Sequence, residues 1–168
     1  MDIKLNYIEK GSGDTLILLH GNGESSEYFV SQLDEFSRYF RVIALDTRGH
    51  GKSPRGEEPF TIRQFADDLK GFMDEKKIKK AHILGFSDGG NIAMCFALKY
   101  PEMVDRLILN GANLNPKGVK ARLQIPIEIC YRLCGMISCC SLKAKANEEM
   151  LGLMVNDPAL TPDDVSKI

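Results

Sequence analysis

Apolar and polar positions follow two different rhythms along the first two-thirds of this chain. Ile3, Leu5 and Tyr7 alternate with polar neighbours, the period-two pattern of a half-buried strand. Turn chemistry at Gly11-Ser12-Gly13-Asp14 leads into Thr15-Leu16-Ile17-Leu18-Leu19, a continuous apolar run of the kind found in strands buried on both faces. Tyr28, Phe29, Leu33 and Phe36 then recur at helical spacing, and Val42-Ile43-Ala44-Leu45 predicts a second buried strand. Thr61-x-x-Gln64 reads as a capping box ahead of Ile62, Phe65, Ala66, Leu69, Phe72 and Met73, which line one helical face. Residues 81–86 predict a third buried strand. Ile92, Ala93, Phe96, Ala97 and Tyr100 predict a helix that stops before Pro101, and residues 106–109 a fourth buried strand. Strands alternating with helices imply right-handed βαβ units, hence an α/β fold with a mostly parallel sheet and helices on both faces.

The pattern changes after Asn110. Asn113, Asn115, Pro116 and Gly118 mark a loop, and residues 126–153 read as helical with no buried-strand run. Asn156-Asp157-Pro158 breaks that stretch, and Thr161-Pro162-Asp163-Asp164 opens one more short helix. The chain therefore divides into an α/β layer over residues 1–113 and a helical segment over 114–168.

Composition narrows the functional classes. The 168 residues are 43% hydrophobic and 27% charged, as in an ordinary globular domain with a proper core. A formal charge of -1 gives no global pull toward nucleic acid or an anionic membrane. No apolar run approaches the ~20 residues of a bilayer span, and MDIKLNYIEK lacks the apolar core of a signal peptide. Five cysteines, with Cys130, Cys134, Cys139 and Cys140 close together, make a poor disulfide framework. Reduced thiols in a cytoplasmic protein fit better. Cys130-x3-Cys134 lacks the following histidine or second cysteine pair that structural zinc needs, so no metal is expected.

The chemistry sits at three strand-to-loop junctions, where parallel sheets place their ligands. The third, Gly85-Phe86-Ser87-Asp88-Gly89, has the G-x-S-x-G form of a nucleophile elbow, with a buried strand before it and a helix after it. A serine on so sharp a turn holds a strained backbone and projects its Oγ above the sheet. Gly85 and Gly89 supply the small residues that the crowded turn demands. The turn also directs the Asp88 amide and the helix N-terminus at anything bound to Ser87. The first junction, His20-Gly21-Asn22-Gly23, can offer a second amide to the same point. A dinucleotide-binding alternative exists, since Gly21-x-Gly23-x-x-Ser26 lies one glycine short of that fingerprint and Asp46 stands near the place of its ribose-binding acid. Against it stand His20 before the turn and the glycine-rich loop directly after Asp46. A phosphate-loop reading of Gly51-Lys52-Ser53 fails, because Asp46 occupies the required glycine and no helix follows.

Taken in order, the three junctions resemble the α/β-hydrolase family. His20-Gly21-Asn22-Gly23 is similar to its oxyanion loop, Asp46-x-Arg48-Gly49-x-Gly51-x-Ser53 to its loop after the next strand, and Gly85-x-Ser87-x-Gly89 to its elbow. Ala97-x-x-Tyr100-Pro101-Glu102-x-Val104 and Leu107-Ile108-Leu109 are similar to the helix and strand that follow. The resemblance implies Ser87 as nucleophile, the backbone amides of Asn22 and Asp88 as oxyanion hole, and residues 114–168 as the start of a cap. His20, Gly21, Gly23, Gly85 and Gly89 would support the site. The substrate would be a small molecule with an ester, thioester or related acyl bond, and no cofactor is implied.

That family orders its triad as serine, then acid, then histidine, whereas His20, His50 and His82 all precede Ser87. His82 lies at the base of the elbow strand, roughly 16 Å from Ser87 at ~3.3 Å per residue. His50 reads as a loop residue fixing backbone. The loop after residue 109 carries Asn110, Asn113 and Asn115 where some members carry the acid. The expectation is a chain cut before its acid and base, weak or inactive alone. A non-catalytic binding module is the alternative, and oligomeric state stays open.

Overall fold

The computed structural model describes residues 1–113. Five strands form one sheet: β1 (Tyr7–Lys10), β2 (Thr15–Leu19), β3 (Arg41–Leu45), β4 (Ala81–Phe86) and β5 (Val104–Asn110). The helices are α1 (Val30–Phe36), entered through a 3₁₀ turn at Ser26–Phe29, then α2 (Ile62–Glu75) and α3 (Asp88–Lys99). Strand order is β1-β3-β2-β4-β5; β1 runs antiparallel to β3 and every other neighbouring pair is parallel. The expected segment at 114–168, including Cys130, Cys134, Cys139 and Cys140, lies outside the described residues.

The continuous apolar runs arise because both faces of the central strands are covered. Ile17, Leu19, Ile43, Leu45 and Ile83 face a core completed by Phe65, Leu69, Phe72 and Met73 of α2 and by Ile92, Ala93 and Phe96 of α3. The alternate positions Leu16, Leu18, Val42 and Ala44 pack on Phe29 and Leu33 on the opposite face. Cys95 is buried within α3.

The first strand departs from expectation. Ile3 and Leu5 are buried, yet the strand begins only at Tyr7. The intervening backbone pairs with the loop after β3: Asn6 N donates to Ser53 Oγ at 2.8 Å, and Asp46 N donates to the Asn6 carbonyl at 2.9 Å. Alternating burial therefore marks a segment threaded against a loop. The capping box is also half of what its motif implies. Thr61 Oγ1 accepts from Gln64 N at 3.1 Å, but the Gln64 side chain donates forward to Asp68 instead of back to the cap.

The sheet topology positions the site. The chain winds from β2 to β3 on one side and reaches β4 on the other, so the carboxyl ends of β2 and β4 flank the switch point where open α/β sheets bind ligands. Leu19 pairs with Gly85, and the first and third junctions leave the sheet side by side.

Candidate active site

Ser87 occupies the turn between β4 and α3 with φ 52° and ψ −117°. Positive φ is costly for a residue with a Cβ, of order 1–3 kcal/mol. Neighbours hold it there. Ser87 N donates to the Asn110 carbonyl at 2.8 Å, and its own carbonyl accepts from Gly90 N at 2.9 Å as α3 begins. The glycines on either side are sterically required. A Cβ on Gly85 would overlap the Gly89 carbonyl, and a Cβ on Gly89 would overlap the carbonyl oxygens of Leu19 and His20. Gly89 thus seats the elbow directly on the end of β2.

The first junction lies against the serine. A Cβ built on Gly21 would stand 3.3 Å from Ser87 Cβ, and Gly23 turns the loop with φ 71°. Asn22, Ser87 and Asp88 are all half-buried at this mouth. As the first residue of α3, Asp88 presents one of the amides that lack an intrahelical acceptor. The structure therefore brings His20 and Gly21 of the first junction against Ser87 and Gly89 of the third.

His20 is fully buried beneath them. Thr47 N donates to His20 Nε2 at 3.0 Å, so the proton sits on Nδ1, which donates to the Gly21 carbonyl at 2.7 Å. Burial pushes its pKa down to about 4, against the pull of the Gly21 carbonyl, and the nearby His50 acts in the same direction as burial. The ring is neutral at pH 7 and both nitrogens are engaged. His50 lies 5.3 Å from it, centroid to centroid, with Nδ1 3.0 Å from the Arg48 carbonyl and Nε2 3.4 Å from Asn22 Oδ1. His82 sits at the opposite end of β4, with Nδ1 3.2 Å from Asp105 Oδ2.

Asp88 carries a second feature. Burial raises its carboxyl to about 6, opposed by the Asn91 side-chain amide 3.3 Å away. Asn91 Oδ1 in turn accepts from Asn113 N at 3.0 Å, linking the elbow helix to the loop after β5.

The second junction is organised around two groups with different standing in the sequence. Asp46 accepts from Ser26 N at 2.7 Å, Asn6 Nδ2 at 2.8 Å and Lys52 N at 2.9 Å. Burial pushes its carboxyl up, and these donors together outweigh burial and hold it below the usual range. With those donors seated, the carboxylate that the dinucleotide reading requires for a ribose is consumed in holding three loops. Arg48 is the residue that sequence reasoning passed over. Its side chain is fully buried, with Nε and Nη2 each 2.7 Å from an Asp68 carboxylate oxygen and further bonds to Asp2 and the Arg55 carbonyl. The two carboxylates raise the guanidinium pKa further, and Arg48 holds Asp2 well below the usual carboxylate range. The only signal in the chain was an arginine within a loop motif, with partners 20 and 46 residues away.

Among the described residues no group of three His, Cys, Asp or Glu side chains could hold a metal ion, and no helix is long and apolar enough to cross a membrane.

An open parallel sheet with a strained serine at its switch point defines a class, and the comparison with known families agrees. A model of the alpha/beta hydrolase fold matches residues 14–126, and the chain belongs to that family. Among curated proteins, it is 36% identical over 119 residues to serine hydrolase BPHL of Homo sapiens, covering 66% of this chain and 40% of that protein. It is 37% identical over 120 residues to 2-hydroxy-6-oxononadienedioate/2-hydroxy-6-oxononatrienedioate hydrolase of Paraburkholderia phymatum, again 66% of this chain and 40% of the relative. Among solved structures, the meta-cleavage product hydrolase from Pseudomonas fluorescens superposes with a TM-score of 0.68 at 29% identity, over 99% of this chain and 65% of that one. The chain spans 30 to 40% of the length of the curated relatives it matches.

Proposed function

We propose that this chain carries the nucleophile and oxyanion hole of a serine hydrolase acting on an ester, thioester or related acyl bond. The observation that carries this reading is the strained Ser87, held at φ 52° beside the Gly21 turn at the carboxyl ends of β2 and β4. The hydrolase names of the relatives support it. Ser87 Oγ attacks the substrate carbonyl carbon, and the oxygen gains negative charge as the tetrahedral intermediate forms. The amides of Asn22 and Asp88 take that charge, aided by the N-terminal field of α3. Collapse expels the alcohol or thiol and leaves an acyl-serine for water to hydrolyse.

The proton leaving Ser87 needs a base. His20 is neutral with both nitrogens engaged, His82 is remote, and His50 has Nδ1 against the Arg48 carbonyl and Nε2 against Asn22 Oδ1. The base in this proposal is a histidine outside this sequence, oriented by a carboxylate. The 168 residues alone should then hydrolyse esters weakly, since an oxyanion hole without its base retains only part of the catalysis.

Labelling with an alkyl fluorophosphonate tests this. The product of the complete reading frame containing this sequence should acquire the label on Ser87, located by peptide mass spectrometry, and Ser87→Ala should abolish it. Absence of label from the wild type would overturn the reading in favour of a non-catalytic binding domain.

A further inference from the structure

The turn after β2 contains a carboxylate that the mechanism above does not use. Glu24 folds back over its own loop, and its Oε2 accepts from Gly21 N at 2.9 Å. Its backbone returns the contact, with Glu24 N donating to the Gly21 carbonyl at 3.3 Å. His20 Nδ1–H donates to that same carbonyl at 2.7 Å. Gly21 is thus gripped at both ends, its N–H by the Glu24 side chain and its C=O by Glu24 N and His20.

This grip has a geometric consequence one residue later. In a trans peptide the C=O of one residue and the N–H of the next point in opposite directions. Two donors pinning the Gly21 carbonyl therefore fix the opposite direction for the Asn22 N–H, within the turn whose Gly21 already approaches Ser87. Were the Glu24 carboxylate withdrawn, the Gly21 N–H would lose its acceptor and the 20–22 backbone would lose one of the three contacts that hold Gly21. The close space leaves little alternative, since a Cβ on Gly21 would come within 3.0 Å of Glu24 Oε2.

We propose that Glu24 is a positioning residue whose carboxylate locks the Gly21 backbone and thereby aims the Asn22 amide at the oxyanion. The inference rests on the serine-hydrolase reading, in which that amide is a donor. The part of Glu24 that matters is an acceptor oxygen and not its charge, so glutamine should replace it and methionine, of similar length and without an acceptor, should not.

The test uses the product of the complete reading frame, with p-nitrophenyl acetate as substrate and an alkyl trifluoromethyl ketone as the inhibitor that forms a tetrahedral oxyanion on the serine. Glu24→Met should lower kcat about tenfold or more with KM within twofold, and weaken the ketone by a similar factor, as loss of an oxyanion donor does. Glu24→Gln should rescue both to within about threefold of wild type. A merely structural role would lower the melting temperature without the selective loss against the ketone. The proposal is overturned if Glu24→Met keeps wild-type kcat, if the loss falls on KM alone, or if Glu24→Gln is as impaired as Glu24→Met. Should Glu24→Met fail to fold, Glu24→Gln decides by itself: turnover near wild type supports the lock, and a tenfold loss overturns it. An inactive wild type would instead refute the hydrolase reading and is told apart by the absence of Ser87 labelling.

Discussion

Ser87 concentrates strain at one residue. Its φ of 52° is forced by the turn and not by its own preference. Glycine would occupy that conformation without the Cβ penalty, whereas alanine would inherit it. Ser87→Gly should therefore be more stable than Ser87→Ala by about 1 kcal/mol, measured as the difference in urea midpoints, with both variants unlabelled by fluorophosphonate. Gly89 makes the opposite case. Because a Cβ there meets the carbonyl oxygens of Leu19 and His20, Gly89→Ala should cost about 3 kcal/mol or more, visible as a collapsed urea midpoint or an insoluble product. Two titratable residues give the molecule an acid-sensitive signature. His20 has its pKa pushed down from 6.5 to about 4 by burial, so the unfolded chain binds its proton first. Its contribution to stability is complete above pH 6.5 and is lost as the pH falls toward 4. Asp88, raised by burial from 3.8 to about 6, works in reverse: the folded state takes the proton first, and its contribution is lost as the pH rises through 6. The two partly cancel between pH 6 and 4. Asp88→Asn should steepen the loss of stability across that window, as followed by urea titrations at successive pH values.

At the scale of elements, ionic and capping contacts tie loops to helices. Arg48 leaves the loop after β3 and is gripped by Asp68 of α2, while Asp2 of the N-terminal segment closes the other side. Gln64 joins this group through its bond to Asp68 at 3.1 Å, which is why it cannot also complete the capping box behind Thr61. Removing one partner strands a buried charge, so Asp68→Ala should cost about 3 kcal/mol in chemical denaturation. The double variant Arg48→Met with Asp68→Ala should cost less than the sum of the two single changes. Thr61→Ala removes only the acceptor of Gln64 N, worth about 1 kcal/mol as a helix cap. The contrast locates the stability of this region in the buried ion group rather than in the cap.

Over the described residues as a whole, the sheet is graded from centre to edge. β2 and β3 are buried over four of their five positions, whereas β1 and β5 are largely exposed and Ile108 and Leu109 of β5 are 48% and 41% accessible. Amide hydrogen exchange should be slowest in β2, β3 and β4 and faster in β1 and β5, because opening an edge disrupts fewer apolar contacts. Slow exchange in β5 equal to that of β2 would contradict this grading. The same grading explains what could be read in advance. Runs such as residues 16–19 and 42–45 can be apolar at every position only when helices cover both faces, so an α/β sheet follows from the residues alone. The elbow was equally legible, since Ser87 between Gly85 and Gly89 records a local backbone demand in local residue types. The first strand was misplaced because Ile3 and Leu5 report burial, and burial does not say whether a strand or a loop supplies the partners. Arg48 was passed over because its buried partners stand 20 and 46 positions away, and nothing near it in the chain betrays them. Residue patterns by themselves determined the layer architecture and the sharp turn at Ser87, because periodicity and glycine placement are short-range constraints. Only the tertiary structure decided that Gly21 rests against Ser87, that Asp46 is spent on three loops and that Arg48 is sealed between two carboxylates, because those facts depend on which distant segments the folded sheet brings into contact.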